Sequence, residues 1–75
     1  MSKPRKLPVV SGKDVVKALH RIGFLPVRQH GDHVFLVHPD GRRTTVPLHR
    51  EVNKSTLMDI IEQAGLTKEE FLGLL

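Results

Sequence analysis

The sequence predicts a small α+β domain with the element order α-β-β-β-α. We expect a three-stranded antiparallel sheet with the helices on one face, and a short extra helix at the C-terminus. Two segments with apolar residues at helical spacing, 15–24 and 57–66, end in the same way near a glycine. Between them lie three β-rich stretches separated by the turn signals GD and PDG. With 75 residues and no cysteine, the chain should form one domain without disulfides.

The first ten residues, MSKPRKLPVV, contain two prolines and three basic side chains. We expect residues 1–10 to form an extended, partly mobile lead and residues 11–75 to form the folded domain. The lead has no apolar run, so no signal peptide is predicted. No stretch approaches the roughly 20 apolar residues of a membrane span. The expectation is a soluble, cytoplasmic protein with no membrane partner.

The first helix is predicted to begin after Ser11, because Ser11 and Asp14 approximate a capping box. Gly23 can adopt the positive φ at which helices commonly end. The apolar positions between them form one helical stripe, Val15, Ala18, Leu19 and Ile22. Val15, Leu19 and Ile22 are assigned to the core.

Three short strands are predicted next. The first, FLPVRQH, contains Pro26, which cannot donate to a strand ladder and therefore indicates an edge position or a bulge. The second, HVFLVH, alternates, with Val34 and Leu36 on one face and His33 and Phe35 on the other. The third, RTTVPL, follows the turn PDGR, in which proline and glycine favour preset backbone geometries.

The loop HREVN leads to the second helix, whose cap is either Asn53 or Ser55. Thr67 and Glu70 form another capping box, which predicts a last short helix through Phe71 and Leu75. The second helix has the same kind of stripe, Leu57, Ile60, Ile61 and Ala64. Leu57, Ile60 and Ile61 are assigned to the core.

The predicted order is also found in double-stranded-RNA-binding domains, which recognise RNA by its shape, phosphates and 2′-hydroxyl groups. The charge distribution is compatible with such a partner. Residues 1–50 carry a net charge of +7 and residues 51–75 one of −3, giving +4 for the chain. A basic front with an acidic tail favours a polyanion-binding surface, but ordinary solubilising charge would give the same totals.

Four segments, in this order, closely resemble the HicA family: SGKDVVKALHRIGF, GDHVF, HPDGRRTTVPLH and TLMDIIEQAGLTKEEFLGLL. These are small bacterial and archaeal toxins of toxin–antitoxin pairs, also called YcfA-like proteins. The resemblance covers about residues 9–75. It implies a double-stranded-RNA-binding-like fold, an endoribonuclease activity that cleaves mRNA and stops translation, and inhibition by a HicB-type antitoxin.

The family's Gly-Ser-His motif falls on Gly31, Asp32 and His33, so the resemblance implies that His33 is the catalytic residue. Asp32 departs from the motif. A carboxylate cannot donate a hydrogen bond to a phosphate as serine can, and it adds negative charge. It can instead hold the imidazole ring and favour its charged form.

His33 has a suitable chemical role, because RNA is cleaved when its own 2′-hydroxyl attacks the adjacent phosphate. That reaction needs a base for the 2′-hydroxyl and an acid for the leaving 5′ oxygen, and an imidazole can act as either near neutral pH. No metal or other cofactor is required. The candidates for binding the RNA are basic side chains of the first 50 residues: Lys13, Lys17, Arg28, His30, Arg42 and Arg43.

The other histidines have weaker indications. His30 and His38 are interpreted first as solvated strand-end residues, and His20 as a solvated residue off the helical stripe. His49 matches a family position whose role the residues do not reveal. A metal site formed by His30 and His33 with Asp32 or His38 is an alternative, but a tight catalytic site usually needs three ligands in fixed geometry.

Two further functions remain open from the residues alone. One is a non-catalytic RNA-binding module of the same fold, which would bind RNA without cleaving it. The other is a pure protein-interaction domain, which would show neither salt-sensitive RNA binding nor cleavage. The three phenylalanines, with no Trp or Tyr, argue against an extended platform for stacking single-stranded bases.

Overall fold

The computed structural model describes residues 7–75, and these residues have the predicted element order. The helices and strands are α1 Gly12–His20, β1 Leu25–His30, β2 His33–Val37, β3 Arg43–Pro47, α2 Lys54–Gln63 and α3 Lys68–Leu72. The fold is the double-stranded-RNA-binding-like arrangement expected from the sequence, with the short third helix added at the C-terminal end.

The three strands form one antiparallel sheet in the order β1-β2-β3, so β1 and β3 are its edges. Every residue of β1 is exposed, and its pairing with β2 shifts register between Pro26 and Arg28. Both features predicted from Pro26, an edge position and a bulge, are therefore present. In β2 the alternation is also as predicted, because Val34 and Leu36 are buried whereas His33 is exposed.

The hydrophobic core lies between the helices and one face of the sheet. The inward-facing Leu36 and Val46 meet apolar side chains of α1 and α2, and Phe24 and Phe71 are fully buried. Ile22 is only partly buried against this core. The other predicted core residues are buried: Val15, Leu19, Leu57, Ile60 and Ile61. Ala18 and Ala64 of the same stripes are buried as well.

The helix caps agree with the sequence and resolve one ambiguity. Complete capping boxes are present at the start of α1 and of α3. At α2 the cap is Asn53, whose side-chain oxygen accepts from the backbone N–H of Thr56 at 2.8 Å and from the hydroxyl of Ser55 at 2.9 Å. Ser55 therefore supports the cap.

Packing reaches further toward the N-terminus than the predicted boundary at residue 11. Val10 is buried, and its carbonyl accepts from the backbone N–H of Val52 at 2.8 Å. Residues 1–6 of the predicted lead lie outside the described residues. Within residues 7–75, no helix has both the length and the apolar character needed to cross a membrane.

Candidate active site

The turn between β1 and β2 consists of Gly31 and Asp32. Gly31 has a φ of +60°, whereas no non-glycine residue in the described chain has a positive φ. Glycine at the first central position is typical of a type II′ turn, which suits a two-residue hairpin. The hairpin is closed by the pair His30 and His33, and both of these side chains are exposed. The turn thus presents Asp32 between the strand ends.

The end of β3 is fastened to this turn. The backbone N–H of Leu48 donates to the carbonyl of Asp32 at 2.5 Å. His49, the next residue, then lies beside the Asp32 side chain, although 17 positions separate them in the sequence. The hairpin and the chain that leaves β3 therefore converge on one carboxylate.

Asp32 contacts two histidines, one through each oxygen. Its Oδ1 lies 2.8 Å from Nδ1 of His33, and its Oδ2 accepts from Nε2 of His49 at 2.8 Å. The centroids of the two imidazole rings are 6.4 Å apart, with 74° between the ring planes. We call Asp32, His33 and His49 the Asp32 cluster.

The Asp32 cluster holds an ionised carboxylate at the surface. The hydrogen bond from His49 and the nearby charge of His33 keep the pKa of Asp32 below its ordinary value of 3.8, with the His49 bond as the largest cause. The three side chains are 50–55% exposed, so water screens their attraction and they add little to stability. Their main physical effect is to orient the two rings.

Each ring of the Asp32 cluster leaves one nitrogen available. His33 contacts the carboxylate through Nδ1, and His49 contacts it through Nε2. Within residues 7–75, Nε2 of His33 and Nδ1 of His49 have no hydrogen-bond partner. An oriented imidazole with a free nitrogen at the surface can accept or donate a proton in a reaction.

The N-terminus of α1 is hydrogen-bonded to the backbone of the cluster. The backbone N–H of Gly12 donates to the carbonyl of His49 at 2.9 Å. A Cβ at residue 12 would overlap the carbonyl oxygen of Pro47, so only glycine permits this approach. Lys13, an exposed RNA-binding candidate, follows directly in the chain. Lys17, also exposed, lines a separate depression beside Arg21.

Two other candidates, Arg28 and Arg43, lie on the face of the sheet opposite the helices. The guanidinium carbon of Arg28 lies 5.4 Å from the ring centroid of Phe35. Both arginines line a depression of about 580 Å³ that includes Thr45 and Gln63. Thr45 and Gln63 also line a depression of about 360 Å³ that contains His33 and His49. The arginines and the Asp32 cluster therefore border one continuous surface.

Arg42 is committed elsewhere. Its Nε donates to Asp40 at 2.8 Å, and one of its terminal nitrogens donates to the carbonyl of Ala64, at the end of α2, at 2.5 Å. Its guanidinium also lies 5.3 Å from the ring centroid of the buried Phe24. These contacts fasten the β2–β3 turn to α2, so Arg42, predicted as a candidate for binding RNA, already has partners within the fold.

The prediction that His38 is solvated is wrong. Its side chain is only 18% exposed. Nε2 donates to the carbonyl of Ile22 at 2.8 Å, and Nδ1 accepts from the backbone N–H of Asp40 at 3.2 Å. The ring also packs edge-on against Phe24, with the centroids 5.1 Å apart. His38 is therefore part of the packing, whereas the exposure predicted for His20 and His30 is confirmed.

The alternative of a metal site gains no support from the geometry. Among the residues that the structure describes, no three His, Asp or Glu side chains converge as metal ligands would. The histidine that sequence reasoning could not interpret, His49, is instead the one that joins His33 through Asp32. Its only signal in the sequence was its match to a position of the family.

The fold and the site define a small domain of double-stranded-RNA-binding-like architecture that carries an exposed histidine–carboxylate cluster. A family model for the HicA toxin of bacterial toxin–antitoxin pairs matches residues 12–66. A chain of a solved toxin–antitoxin complex from Streptococcus pneumoniae is 36% identical, with a TM-score of 0.67, over 76% of this chain and 98% of that chain. No match was found among curated proteins. The chain belongs to the HicA toxin family.

Proposed function

We propose that this toxin is an endoribonuclease that cleaves mRNA without a metal ion and so inhibits translation, with His33 as an acid–base group. The proposal is carried by the contacts of the two nitrogens of the His33 ring. Its Nδ1 lies 2.8 Å from Oδ1 of the ionised Asp32, and its Nε2 has no hydrogen-bond partner within residues 7–75. Membership of the HicA family supports the nuclease assignment.

The reaction is an internal transfer of the phosphodiester. A base removes the proton of the 2′-hydroxyl, and the 2′ oxygen attacks the adjacent phosphorus. The bond from phosphorus to the 5′ oxygen then breaks, and that oxygen takes a proton from an acid. The products are a 2′,3′-cyclic phosphate and a 5′-hydroxyl, so neither an oxidant nor a bound cofactor is consumed. Positioned acid–base groups contribute about 10²–10⁴-fold to such reactions.

RNA binding is assigned to the surface that adjoins the Asp32 cluster. Arg28 and Arg43 border this surface, His30 lies opposite His33 in the hairpin, and Lys13 is the second residue of α1. These side chains contact phosphates, which carry no base information, so sequence preference should be loose. Because binding releases counterions, affinity should fall steeply as salt rises.

The natural inhibitor is proposed to be a HicB-type antitoxin that covers His33 and the surrounding basic surface. The S. pneumoniae relative comes from a toxin–antitoxin complex, which supports an antitoxin partner here. An acidic antitoxin surface would complement the net charge of +7 on residues 1–50. A complex in which His33 stays open to solvent would contradict this assignment.

The test is RNA cleavage by purified wild-type and His33→Ala proteins in excess EDTA, with folding of both checked by circular dichroism. We expect the wild type to produce 2′,3′-cyclic phosphate and 5′-hydroxyl ends, and the folded variant to be at least about 100-fold slower. A folded variant that cleaves at the wild-type rate would refute the role of His33. Cleavage that EDTA abolishes would refute the metal-free mechanism.

A non-catalytic RNA-binding module is the second candidate, and the carboxylate of Asp32 favours it because negative charge beside His33 repels phosphate. Under that function both proteins would bind RNA, and neither would release products.

A further inference from the structure

We infer that His49 is the second acid–base group of this nuclease: it protonates the leaving 5′ oxygen while His33 takes the proton of the 2′-hydroxyl. The inference rests on the proposed RNA cleavage and adds a residue and a division of roles to it. The observation behind it is the single carboxylate that contacts both rings, at 2.8 Å each.

The geometry places two imidazoles where one phosphodiester can reach both. The ring centroids are 6.4 Å apart, and both rings line the same depression of about 360 Å³. Each ring keeps one nitrogen free of protein partners within the described chain, Nε2 on His33 and Nδ1 on His49. A phosphate seated between the rings can therefore present its attacking oxygen to one and its leaving oxygen to the other.

Acid–base catalysis of this reaction needs one protonated and one neutral ring at the same time. Asp32 carries one negative charge, so a cluster with one protonated ring is neutral as a whole. That state supplies the acid and the base together. A carboxylate that hydrogen-bonds an imidazole also stabilises the positive charge when the ring holds both protons.

His49 is assigned as the acid because its contact with Asp32 is a hydrogen bond, which stabilises a ring that holds both protons. Nε2 of His49 donates to Oδ2 of Asp32 at 2.8 Å, whereas Nδ1 of His33 faces Oδ1 in an ion-pair contact of the same length. In the reaction His49 gives its Nδ1 proton to the 5′ oxygen, and His33 receives the 2′-hydroxyl proton on Nε2. Exchange with water then restores the starting protonation of both rings.

The backbone fixes the position of His49. Its carbonyl accepts from Gly12, and the preceding residue, Leu48, donates to the carbonyl of Asp32. Two other titratable groups are near but make no bond to the cluster within residues 7–75: His30 lies across the hairpin from His33, and Asp59 of α2 lines the same depression. The linkage through Asp32 therefore singles out His49 from the other histidines.

The test compares two RNA substrates that differ at one atom. The second substrate carries sulfur in place of the scissile 5′ oxygen, and the sulfur leaves as a thiolate that needs no proton. We expect His49→Ala to cleave ordinary RNA at least about 100-fold more slowly than wild type and to recover near wild-type rates on the sulfur substrate. His33→Ala should be slow on both substrates. The control is His20→Ala, because His20 is an exposed histidine of α1; this variant should match wild type on both substrates.

A further variant separates proton transfer from orientation. His49→Gln keeps a side-chain N–H that can donate to Asp32, but it cannot act as an acid. It should therefore behave as His49→Ala does, with circular dichroism unchanged. If His49→Gln restores cleavage of ordinary RNA, His49 only positions Asp32 and the inference is overturned.

Other outcomes also overturn the inference. The first is that His49→Ala cleaves ordinary RNA at the wild-type rate. The second is that His49→Ala is equally slow on both substrates. The third is that His33→Ala, and not His49→Ala, recovers on the sulfur substrate. Failure of the proposed function looks different, because the wild type itself would then cleave neither substrate.

Discussion

The two hairpin turns of the sheet use the same residue types for different purposes. Each turn contains an aspartate that contacts a neighbouring histidine: Asp32 with His33 at 2.8 Å, and Asp40 with His38 at 3.0 Å. At the β1–β2 turn the histidine is half exposed and keeps a free nitrogen. At the β2–β3 turn the histidine is 18% exposed and uses both nitrogens in hydrogen bonds.

The pKa values of the two aspartates differ in the same way. Both are lowered, but at Asp40 the largest cause is the backbone N–H of Arg42, a contact within the turn. At Asp32 the largest cause is the side chain of His49, from another part of the chain. The comparison teaches that an aspartate–histidine pair becomes a site only where the imidazole retains an unpaired nitrogen that solvent and substrate can reach.

The same contrast between packing and exposed site holds for two arginine–phenylalanine pairs. Arg42 lies over Phe24, which is fully buried, and Arg28 lies over Phe35, which is partly exposed on the open face of the sheet. The first pair belongs to the packing and the second to the proposed RNA-binding surface.

The largest difference in stability between the two pairs should appear when each phenylalanine is truncated. Phe24→Ala removes a fully buried ring and should lower the free energy of unfolding by about 3–5 kcal/mol, enough to unfold much of so small a domain. Phe35→Ala should cost clearly less stability and should weaken RNA binding. Urea denaturation and RNA titration of both variants measure this. Equal stability losses would contradict the contrast.

Truncating the two arginines should show the same difference between stability and RNA binding, with a smaller loss of stability. Arg42→Ala breaks the bonds to Asp40 and Ala64 and should lower the free energy of unfolding by about 1–2 kcal/mol. RNA affinity measured on the folded protein should be unchanged. Arg28→Ala should leave stability nearly unchanged, weaken binding, and reduce the slope of log affinity against log salt by about 1. An unchanged slope would remove Arg28 from the RNA-binding surface.

The smallest effect concerns the pH dependence of stability. Because the pKa of Asp40 is lowered in the folded state, its carboxylate contributes stability above the ordinary value of 3.8, and this is lost as the pH falls through the lowered pKa. Wild type should therefore be more stable than Asp40→Asn at pH 7, and the difference should shrink below pH 3.8. A difference that grows on acidification, in urea titrations across this range, would contradict the sign.

The local features of the fold could be predicted because short-range chemistry determines them. Ser11 with Asp14 and Thr67 with Glu70 form the caps that their spacing indicates, and Pro26 marks an edge strand with a bulge. Short-range chemistry could not predict which of the adjacent Val9 and Val10 is buried. Val9 is 75% exposed and Val10 is buried, because the pairing of Val10 with Val52 selects which of the two faces the core.

The site was predicted only in part, because its partners come together through the fold. His33 and Asp32 are neighbours, and the sequence raised the contact between them as a possibility. His49 reaches Asp32 only because Leu48 is hydrogen-bonded to the turn and Gly12 lets α1 approach β3. Sequence spacing carries neither fact. The contacts of Arg42 within the fold could not be predicted for the same reason, since its acceptor lies 22 residues away at the end of α2.

The most direct test of the contrast between the two turns is to truncate His33 and His38 in parallel. Cleavage of RNA in EDTA and urea unfolding are measured on each variant, with rates corrected for the folded fraction. We expect His33→Ala to lose cleavage by at least about 100-fold at nearly unchanged stability. We expect His38→Ala to keep wild-type cleavage and to lose about 1–3 kcal/mol of unfolding free energy. Wild-type cleavage by folded His33→Ala, or loss of cleavage in folded His38→Ala, would contradict the account.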